Sequence, residues 1–223
     1  MERNLDDPTV FIVDDDPDVR DALVMLLESM GRRVEAWASA DGFLDDYDPG
    51  RPGCLILDVR LPGMNGLTAQ SELARRGIDL PVIFISGHGD IPMAVRAVRA
   101  GALDFLEKPF GDQAVLDCVD RALSLDRERR SEREAEAEVC ARVATLTPRE
   151  HEVMDKLIEG KVNKIVAREL DCSTRTVEIH RARVLQKMGV DNVSQLVRRV
   201  LAHPDYHDRL ASASREEPQA SDR

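Results

Sequence analysis

Five side chains that can do chemistry stand at, or just after, the ends of short apolar runs in the first half of the chain. They comprise three carboxylates, a hydroxyl and an ammonium: Asp14, Asp15, Asp58, Ser86 and Lys108. Three carboxylates brought together repel one another unless a cation lies among them, and Mg²⁺ prefers a few carboxylates with retained waters. A lysine and a hydroxyl beside that ion suit a phosphoryl group, which an aspartate can accept as a nucleophile. If the fold brings these residues together, we expect metal-assisted phosphoryl transfer.

The elements that must position these residues alternate between strand and helix. Short apolar runs such as Thr9–Val13, Cys54–Asp58 and Pro81–Ser86 are typical of strands buried on both faces. Between them, apolar residues recur at helical spacing, as they do from Pro17 to Met30. Five such strand–helix units predict an α/β fold, a doubly wound parallel sheet with helices on both faces. The carboxyl ends of its strands then share one edge, where ligands bind in this class of fold.

Ordinary structural roles would also account for these residues one at a time. Asp58 could mark a plain strand-to-loop junction. Asp14 and Asp15 could favour the positive end of a helix that begins at Pro17. Lys108 could be a surface lysine. The residues alone leave these alternatives open.

The first half of the chain resembles the receiver domain of two-component response regulators of the FixJ/NarL/LuxR type. Four segments carry the resemblance: VFIVDDD (10–16), LDVRLPGMNG (57–66), FISGHGD (84–90) and AGALDFLEKPF (100–110). It implies the flavodoxin-like strand order 2-1-3-4-5. It also implies that Asp58 accepts the phosphoryl group. Mg²⁺ would be bound by Asp15, Asp58 and the backbone carbonyl of Arg60, with Asp14 acting through water.

The resemblance assigns further roles around this site. Lys108 would contact the phosphoryl oxygens and would precede a cis peptide bond to Pro109. Ser86 would move toward the phosphoryl group, and Phe105 would turn inward to fill the space that Ser86 leaves. The family more often has Thr at the first of these switch positions and frequently Tyr at the second, and neither departure threatens phosphorylation. His88, in a loop flanked by glycines, is expected to have only a loop role.

The second half of the chain is predicted to be helical. Thr147 and Pro148 begin a helix with Glu150 at the capping-box position. Three more helices are expected, and a short turn before Ser173 separates the second from the third. This spacing is typical of a helix-turn-helix, whose second helix enters the major groove of DNA. A generic four-helix bundle would explain the helical pattern equally well.

Four segments of this half resemble the LuxR-type DNA-binding domain: LTPRE (146–150), GKVNKIVA (160–167), STRTVEIHR (173–181) and KMGVDNVSQLV (187–197). The resemblance implies a helix-turn-helix from Asn163 to Arg183. Its base-facing candidates lie on the far side of the second helix: Arg175, Glu178, Ile179, Ala182 and Arg183. Its candidates for phosphate contact are Lys161, Lys164, Arg168 and Lys187. In the family a fourth helix pairs two such domains, although its apolar residues would equally suit a core.

Charge and composition agree with two domains that have different partners. The formal net charge is −11 in total, −12 up to Asp126 and +1 beyond it. We predict a receiver domain at 9–123, a charged helical linker at 124–142, a small all-α DNA-binding domain at 143–203 and a disordered tail at 204–223. The four cysteines have no metal-binding spacing and should stay reduced. The sequence shows no signal peptide and no membrane span, so we expect a cytoplasmic protein.

These expectations combine into one functional hypothesis. A sensor histidine kinase phosphorylates Asp58, phosphorylation favours a homodimer, and the dimer binds double-stranded promoter DNA to regulate transcription. The chain would catalyse at most its own phosphoryl transfer and dephosphorylation and is otherwise not an enzyme. The alternative is a phosphate-independent DNA-binding module whose receiver only docks a partner. The stimulus, the cognate kinase, the promoters, the sign of regulation and the resting interdomain arrangement are not determined by the sequence.

Overall fold

The protein folds as two units, Met1–Arg130 and Ser131–Arg223, in the computed structural model, which describes residues 7–87 and 91–201. The division falls inside the segment 124–142, which was predicted to be the linker. His88 and the tail at 204–223, for which a loop and disorder were predicted, lie outside the described residues.

Strands and helices alternate along the first unit, as the apolar runs predict. The elements are β1 (Thr9–Val13), α1 (Pro17–Ser29), β2 (Arg33–Trp37), α2 (Ala40–Asp46), β3 (Gly53–Asp58), α3 (Gly66–Arg75), β4 (Val82–Ser86), α4 (Ile91–Arg99), β5 (Asp104–Glu107) and α5 (Asp112–Val143). Local signals set several of the boundaries. Asp16 caps α1 ahead of Pro17 by accepting a hydrogen bond from the Asp18 backbone N–H at 2.9 Å, and Ser39 caps α2 through Gly42.

The strands form one parallel sheet in the order β2-β1-β3-β4-β5, which confirms the predicted fold class and strand order. The register pairs Val13 of β1 with Leu57 of β3, so the residues that follow them, Asp14 and Asp58, lie side by side. Asp58 in turn pairs with Ile85 of β4, one residue before Ser86. The chain order of the strands and this register together bring the predicted site residues to one edge.

Both faces of the sheet are buried in apolar clusters. Phe11 and Leu57 point into one cluster, which α2 and α3 cover, and Ile12 and Ile56 point into the other, which α1 and α5 cover. Every residue of β1, β3 and β4 is buried. This explains why these strands read as continuous apolar runs rather than as alternating ones.

A buried carboxylate joins α5 to the opposite, amino-terminal edge of the sheet. Asp126 is 2% exposed, and its Oδ2 accepts a hydrogen bond of 2.9 Å from the Gly53 backbone N–H at the start of β3. Arg130 pairs with the same carboxylate at 3.0 Å and also donates to the backbone carbonyls of Gly50 and Arg51. Gly53 has no room for a side chain, because an added Cβ would lie 1.9 Å from the Thr9 carbonyl oxygen.

The segment predicted to be a helical linker lies within α5, which continues without a break to Val143. The second unit adds α6 (Pro148–Ile158), α7 (Asn163–Glu169), α8 (Thr174–Met188) and α9 (Val193–Leu201). The capping box of Thr147 and Glu150 is present as predicted, and Ser173 caps α8. Gly189 ends α8 in the left-handed conformation at φ 63°, where glycine is favoured.

The core of the second unit draws on all four of its short helices and on the end of α5. Buried Met154, Val166, Val184 and Leu196 come from α6 to α9, and Val139 of α5 packs with them at 5% exposure. The last turns of α5 therefore belong to this core.

None of the helices in the described residues combines the length and hydropathy of a membrane span, and none of the four cysteines forms a disulfide.

Replacing Asp126 by alanine should lower the free energy of unfolding of the first unit by about 2 kcal/mol, because the buried Gly53 N–H loses its acceptor. The matched control is Asp120→Ala, also on α5, whose ion pair with Arg32 is 60% and 42% exposed and should contribute less than about 1 kcal/mol. Urea unfolding followed by the fluorescence of Trp37, the sole tryptophan, measures both changes. Equal effects of the two substitutions would contradict the assigned role of Asp126.

Candidate functional site

The carboxyl edge of the sheet brings together four of the predicted site residues from four different strands. Asp14 follows β1, Asp58 ends β3, Ser86 ends β4 and Lys108 follows β5. Asp14 and Ser86 are fully buried, and Asp58 is only 5% exposed. The structure thus places polar groups where the apolar runs stop, because the strands are parallel and end together.

Three carboxylates form an acidic cluster at this edge. Oxygen atoms of Asp14, Asp15 and Asp58 all lie within 4.8 Å of one another. Asp15 is exposed, whereas the other two side chains are nearly inaccessible to water. Such a set of hard oxygen donors, one of them open to solvent, is suited to a divalent cation that keeps some of its waters.

Lys108 bridges the two buried carboxylates. Its Nζ lies 2.6 Å from Asp14 Oδ2 and 2.6 Å from Asp58 Oδ2. Burial alone lowers the pKa of the Lys108 ammonium, but hydrogen bonds to Asp14 and Asp58 outweigh that effect and hold the pKa above its ordinary value. The lysine is therefore charged throughout the neutral range.

Burial is the dominant influence on Asp14. It raises the pKa of the Asp14 carboxyl above its ordinary value, and the hydrogen bonds from Lys108 and from the Asp16 backbone N–H oppose this rise without cancelling it. The contacts with Lys108 and the Asp16 backbone therefore do not offset the whole cost of burying the Asp14 carboxylate.

Backbone contacts fix the orientation of these carboxylates. Asp14 Oδ1 accepts from the Asp16 N–H at 2.9 Å, and Asp58 Oδ1 accepts from the Arg60 N–H at 2.8 Å. Gly66 packs against the Asp58 backbone so closely that an added Cβ would lie 2.4 Å from the Asp58 carbonyl oxygen. A cavity of about 530 Å³ lies beside the cluster, between Asp15, Arg60 and neighbouring apolar residues.

A second candidate surface lies on α8 in the other unit. One side of this helix packs into the core through Val177, Val184 and Met188. The five residues predicted to face bases all lie exposed on the remaining surface: Arg175, Glu178, Ile179, Ala182 and Arg183. The segment from Glu169 to Thr174 turns the chain between α7 and α8, with Asp171 at φ 47°. This helix–turn–helix geometry presents an unpacked helix face to a partner.

Comparisons with known proteins identify both units. The model for response regulator receiver domains matches residues 10–120, and the model for bacterial regulatory proteins of the luxR family matches residues 144–200. The chain is 45% identical over 195 residues to the response regulator protein TmoT of Ectopseudomonas mendocina, which covers 87% of this chain and 89% of that protein. The chain belongs to the two-component response regulators. It is also 44% identical to the transcriptional regulatory protein FixJ of Azorhizobium caulinodans, over 86% of this chain and 91% of that one.

Solved structures of response regulators share this architecture. The response regulator StyR matches with a TM-score of 0.81 and 44% identity, covering 87% of this chain and 98% of StyR. Full-length FixJ from B. japonicum matches with a TM-score of 0.55 and 39% identity, covering 88% and 97% of the two chains. This response regulator therefore joins a receiver domain to a LuxR-type DNA-binding domain and is a transcription regulator rather than a classical enzyme. Control by phosphorylation is typical of its family.

Within the receiver domain, the two predicted switch residues occupy different environments. Ser86 is fully buried, and its carbonyl accepts a hydrogen bond of 2.8 Å from the Lys108 backbone N–H. Phe105 is partly buried against the cluster that contains Phe84. The expected cis bond between Lys108 and Pro109 is present.

Two of the four predicted phosphate contacts of the DNA-binding domain already have acidic partners. Lys161 pairs with Glu169 at 2.7 Å, and Lys187 pairs with the buried Glu150 at 2.6 Å. The hydrogen bond from Lys187 lowers the pKa of Glu150 to about 2. The other two candidates, Lys164 and Arg168, are exposed.

Sequence reasoning missed one residue that supports the receiver site. Arg20 of α1 donates from Nη1 to the Asp14 backbone carbonyl at 2.6 Å and so ties the end of β1 to the following helix. The available signal was its position as the fourth residue of α1, a helix that begins directly after the acidic triplet.

Asp14→Asn should stabilise the metal-free receiver domain at neutral pH. Because folding raises the pKa of Asp14 above the ordinary value of 3.8, the stability that this group contributes is present below pH 3.8 and is lost as the pH rises through the folded-state pKa. Asparagine imitates the neutral form at every pH. The gain in the free energy of unfolding should therefore appear at pH 7 and vanish below pH 3.8.

Urea unfolding in the presence of a chelator, followed by Trp37 fluorescence, tests this expectation. The exposed neighbour Asp15 provides the control, since Asp15→Asn should change the free energy of unfolding by no more than about 0.5 kcal/mol. Loss of stability in Asp14→Asn at pH 7 would show that the Lys108 ion pair outweighs the cost of burying the carboxylate.

Proposed function

We propose that this response regulator accepts a phosphoryl group on Asp58 from a sensor histidine kinase and that the modification controls binding to promoter DNA. The observation that carries the proposal is the convergence of Asp58 with Asp14, Asp15 and Lys108 at one sheet edge. A buried aspartate held by a lysine, beside two further carboxylates, is equipped for phosphoryl transfer and has no comparable use in packing.

The donor set fits Mg²⁺ well. Asp15 and Asp58 would bind it directly together with the backbone carbonyl of Arg60, and Asp14 would act through water. When bound, the ion supplies positive charge to the phosphoryl oxygens. The closeness of the three carboxylates supports this assignment, because their oxygen atoms lie within 4.8 Å of one another and Asp15 is open to solvent.

In the transfer itself, an Asp58 carboxylate oxygen forms the new bond to phosphorus as the bond from phosphorus to the histidine nitrogen of the kinase breaks. The leaving imidazole keeps that bond's electron pair and takes up a proton. Lys108 Nζ, now 2.6 Å from Asp58 Oδ2, would move its hydrogen bond to a phosphoryl oxygen and offset the added charge. The neighbouring cavity gives the donor group room. Water attacking the same phosphorus would break its bond to the Asp58 oxygen, regenerate the carboxylate and release inorganic phosphate, which would account for self-dephosphorylation.

The switch would then run through Ser86 and Phe105 to the face formed by α4 and β5. The Ser86 hydroxyl would turn toward the phosphoryl group, and Phe105 would move inward. On α4, Val95 and Val98 are 43% and 55% exposed, which leaves apolar surface for a second copy of the chain. A homodimer would place two α8 helices for paired half-sites on DNA in the cytoplasm.

Asp58→Asn protein should take up no phosphoryl group from acetyl phosphate and Mg²⁺, because the amide is not a nucleophile. The wild type should gain the mass of one phosphoryl group, and so should the control Asp45→Asn, which changes an exposed aspartate of α2. Intact-mass spectrometry measures the gain. Label retained in Asp58→Asn would overturn the assignment. Equal DNA affinity with and without the donor would instead support a phosphate-independent module.

In the DNA-binding domain, Arg175→Ala should relax base specificity, whereas Lys164→Ala should weaken binding to all sequences. Arg175 lies exposed on the first turn of α8, and loss of a bidentate base contact costs about 1–3 kcal/mol of discrimination. Lys164 would neutralise one phosphate, so its removal should reduce the slope of log affinity against log salt by about 0.9. Fluorescence anisotropy at several salt concentrations separates the two roles. The assignment fails if the two variants behave alike.

A further inference from the structure

The carboxyl-terminal end of α8, the proposed recognition helix, is held by side chains from α5 and α9. Arg142 of α5 donates from Nη1 to the carbonyl of Lys187 at 3.3 Å. Arg199 of α9 donates from Nη1 to the carbonyls of Met188 at 2.8 Å and Gly189 at 3.1 Å. Carbonyls at the end of a helix lack hydrogen-bond donors within that helix. The two guanidinium groups supply donors to the carbonyls at this end of α8.

Glu138 connects the two guanidinium groups. Its Oε1 accepts from Arg142 Nε at 2.8 Å, one turn along α5, and lies 3.5 Å from Arg199 Nη2. The carboxylate offsets both positive charges and limits where each guanidinium can point. Glu138, Arg142 and Arg199 are called the α8 clamp below.

The packing around the clamp is close. An added Cβ on Gly189 would lie 2.5 Å from Arg142 Nη1, so the guanidinium of Arg142 lies directly over the glycine that ends α8. Val139, on the turn between Glu138 and Arg142, is buried in the core of the same unit. The clamp is therefore attached to a part of α5 that is itself fixed to the DNA-binding domain.

We propose that Glu138 and Arg142 are positioning residues for sequence readout by α8, although they lie on α5, ahead of the helix-turn-helix. This inference rests on the proposed DNA-reading role of α8. Base contacts depend on holding a side chain within fractions of an ångström of its productive position. A helix whose far end is released can tilt, which degrades contacts made by Arg175 and its neighbours. The planar fork of arginine suits this task better than the single ammonium of lysine.

The test compares full-length variants on two DNA duplexes. The first duplex is the one that the full-length wild type selects from a randomised library, and the second has the same bases in scrambled order. The readout is the ratio of the two dissociation constants. A variant that is partly misfolded loses affinity for both duplexes equally, so the ratio reports only on the molecules that bind.

Arg142→Gln and Glu138→Gln should each lower this ratio by about tenfold, comparable to the loss of one base contact. Arg142→Lys should fall between Arg142→Gln and the wild type. The double variant should lose no more than either single one, because both substitutions open the same clamp. The matched control is Arg198→Gln, which removes the same charge from an exposed arginine beside Arg199 and should leave the ratio unchanged.

The salt dependence distinguishes positioning from direct contact. Binding of Arg142→Gln should keep the wild-type slope of log affinity against log salt, because Arg142 neutralises no phosphate. A slope smaller by about 0.9 would make Arg142 a phosphate contact and overturn the proposal. An unchanged ratio in both Arg142→Gln and Glu138→Gln would overturn it as well. If instead the wild type selects no sequence from the library, the result contradicts the proposed DNA-reading role of α8 itself and not only the role of the clamp.

Discussion

The receiver domain depends on how charge is buried at the carboxyl edge of its sheet. Two carboxylates, Asp14 and Asp58, lie almost out of reach of water with one ammonium, that of Lys108, between them. Without the lysine, the adjacent negative charges would repel at short range in a medium that screens poorly. With the lysine in place, one positive charge lies between two carboxylates, and the exposed Asp15 adds a third carboxylate. An acidic cluster of this kind is suited to a divalent cation.

The register of the sheet fixes the positions of these carboxylates. A slip of one residue between two strands would send every side chain of one strand to the opposite face of the sheet. The packing of the two buried clusters therefore holds the register. Val13 opposite Leu57 therefore fixes Asp14 beside Asp58. The close approach of Gly66 to the Asp58 backbone shows that the loop after β3 is packed as tightly as the strands.

Most of the fold and the chemical groups of the receiver site could be predicted from the sequence, because both depend on local patterns. Apolar runs that stop at Asp14 and Asp58, with turn residues directly after them, indicate strand ends whatever the distant contacts are. Periodicity along α8 correctly placed Arg183 on the side away from the core. Strand order is a different matter, since it came from the resemblance to a family and not from the pattern of apolar residues.

Contacts between distant side chains could not be predicted in the same way. The pairing of Lys187 with Glu150 joins residues 37 apart, and that of Arg142 with the Lys187 carbonyl joins residues 45 apart. Helical spacing shows which face of α8 carries Lys187 but not which acidic group lies opposite. Lys187 lies on the edge of the proposed recognition helix and was therefore interpreted as a phosphate contact. In the structure it is paired with the carboxylate of Glu150.

The difference between paired and unpaired cations changes how the charge of the DNA-binding domain should be interpreted. Its net charge is small, because Glu150, Glu159 and Glu169 offset much of the lysine charge. Those pairs are internal to the domain, so their charges largely cancel at the distance of a DNA backbone. The exposed cations of α7 and α8 that show no acidic partner among the described residues are Lys164, Arg168, Arg175 and Arg183. A polyanion responds to the local field that such groups create and not to the net charge of the chain. A regulator with an acidic overall composition can therefore present a basic surface on the two helices that would meet DNA.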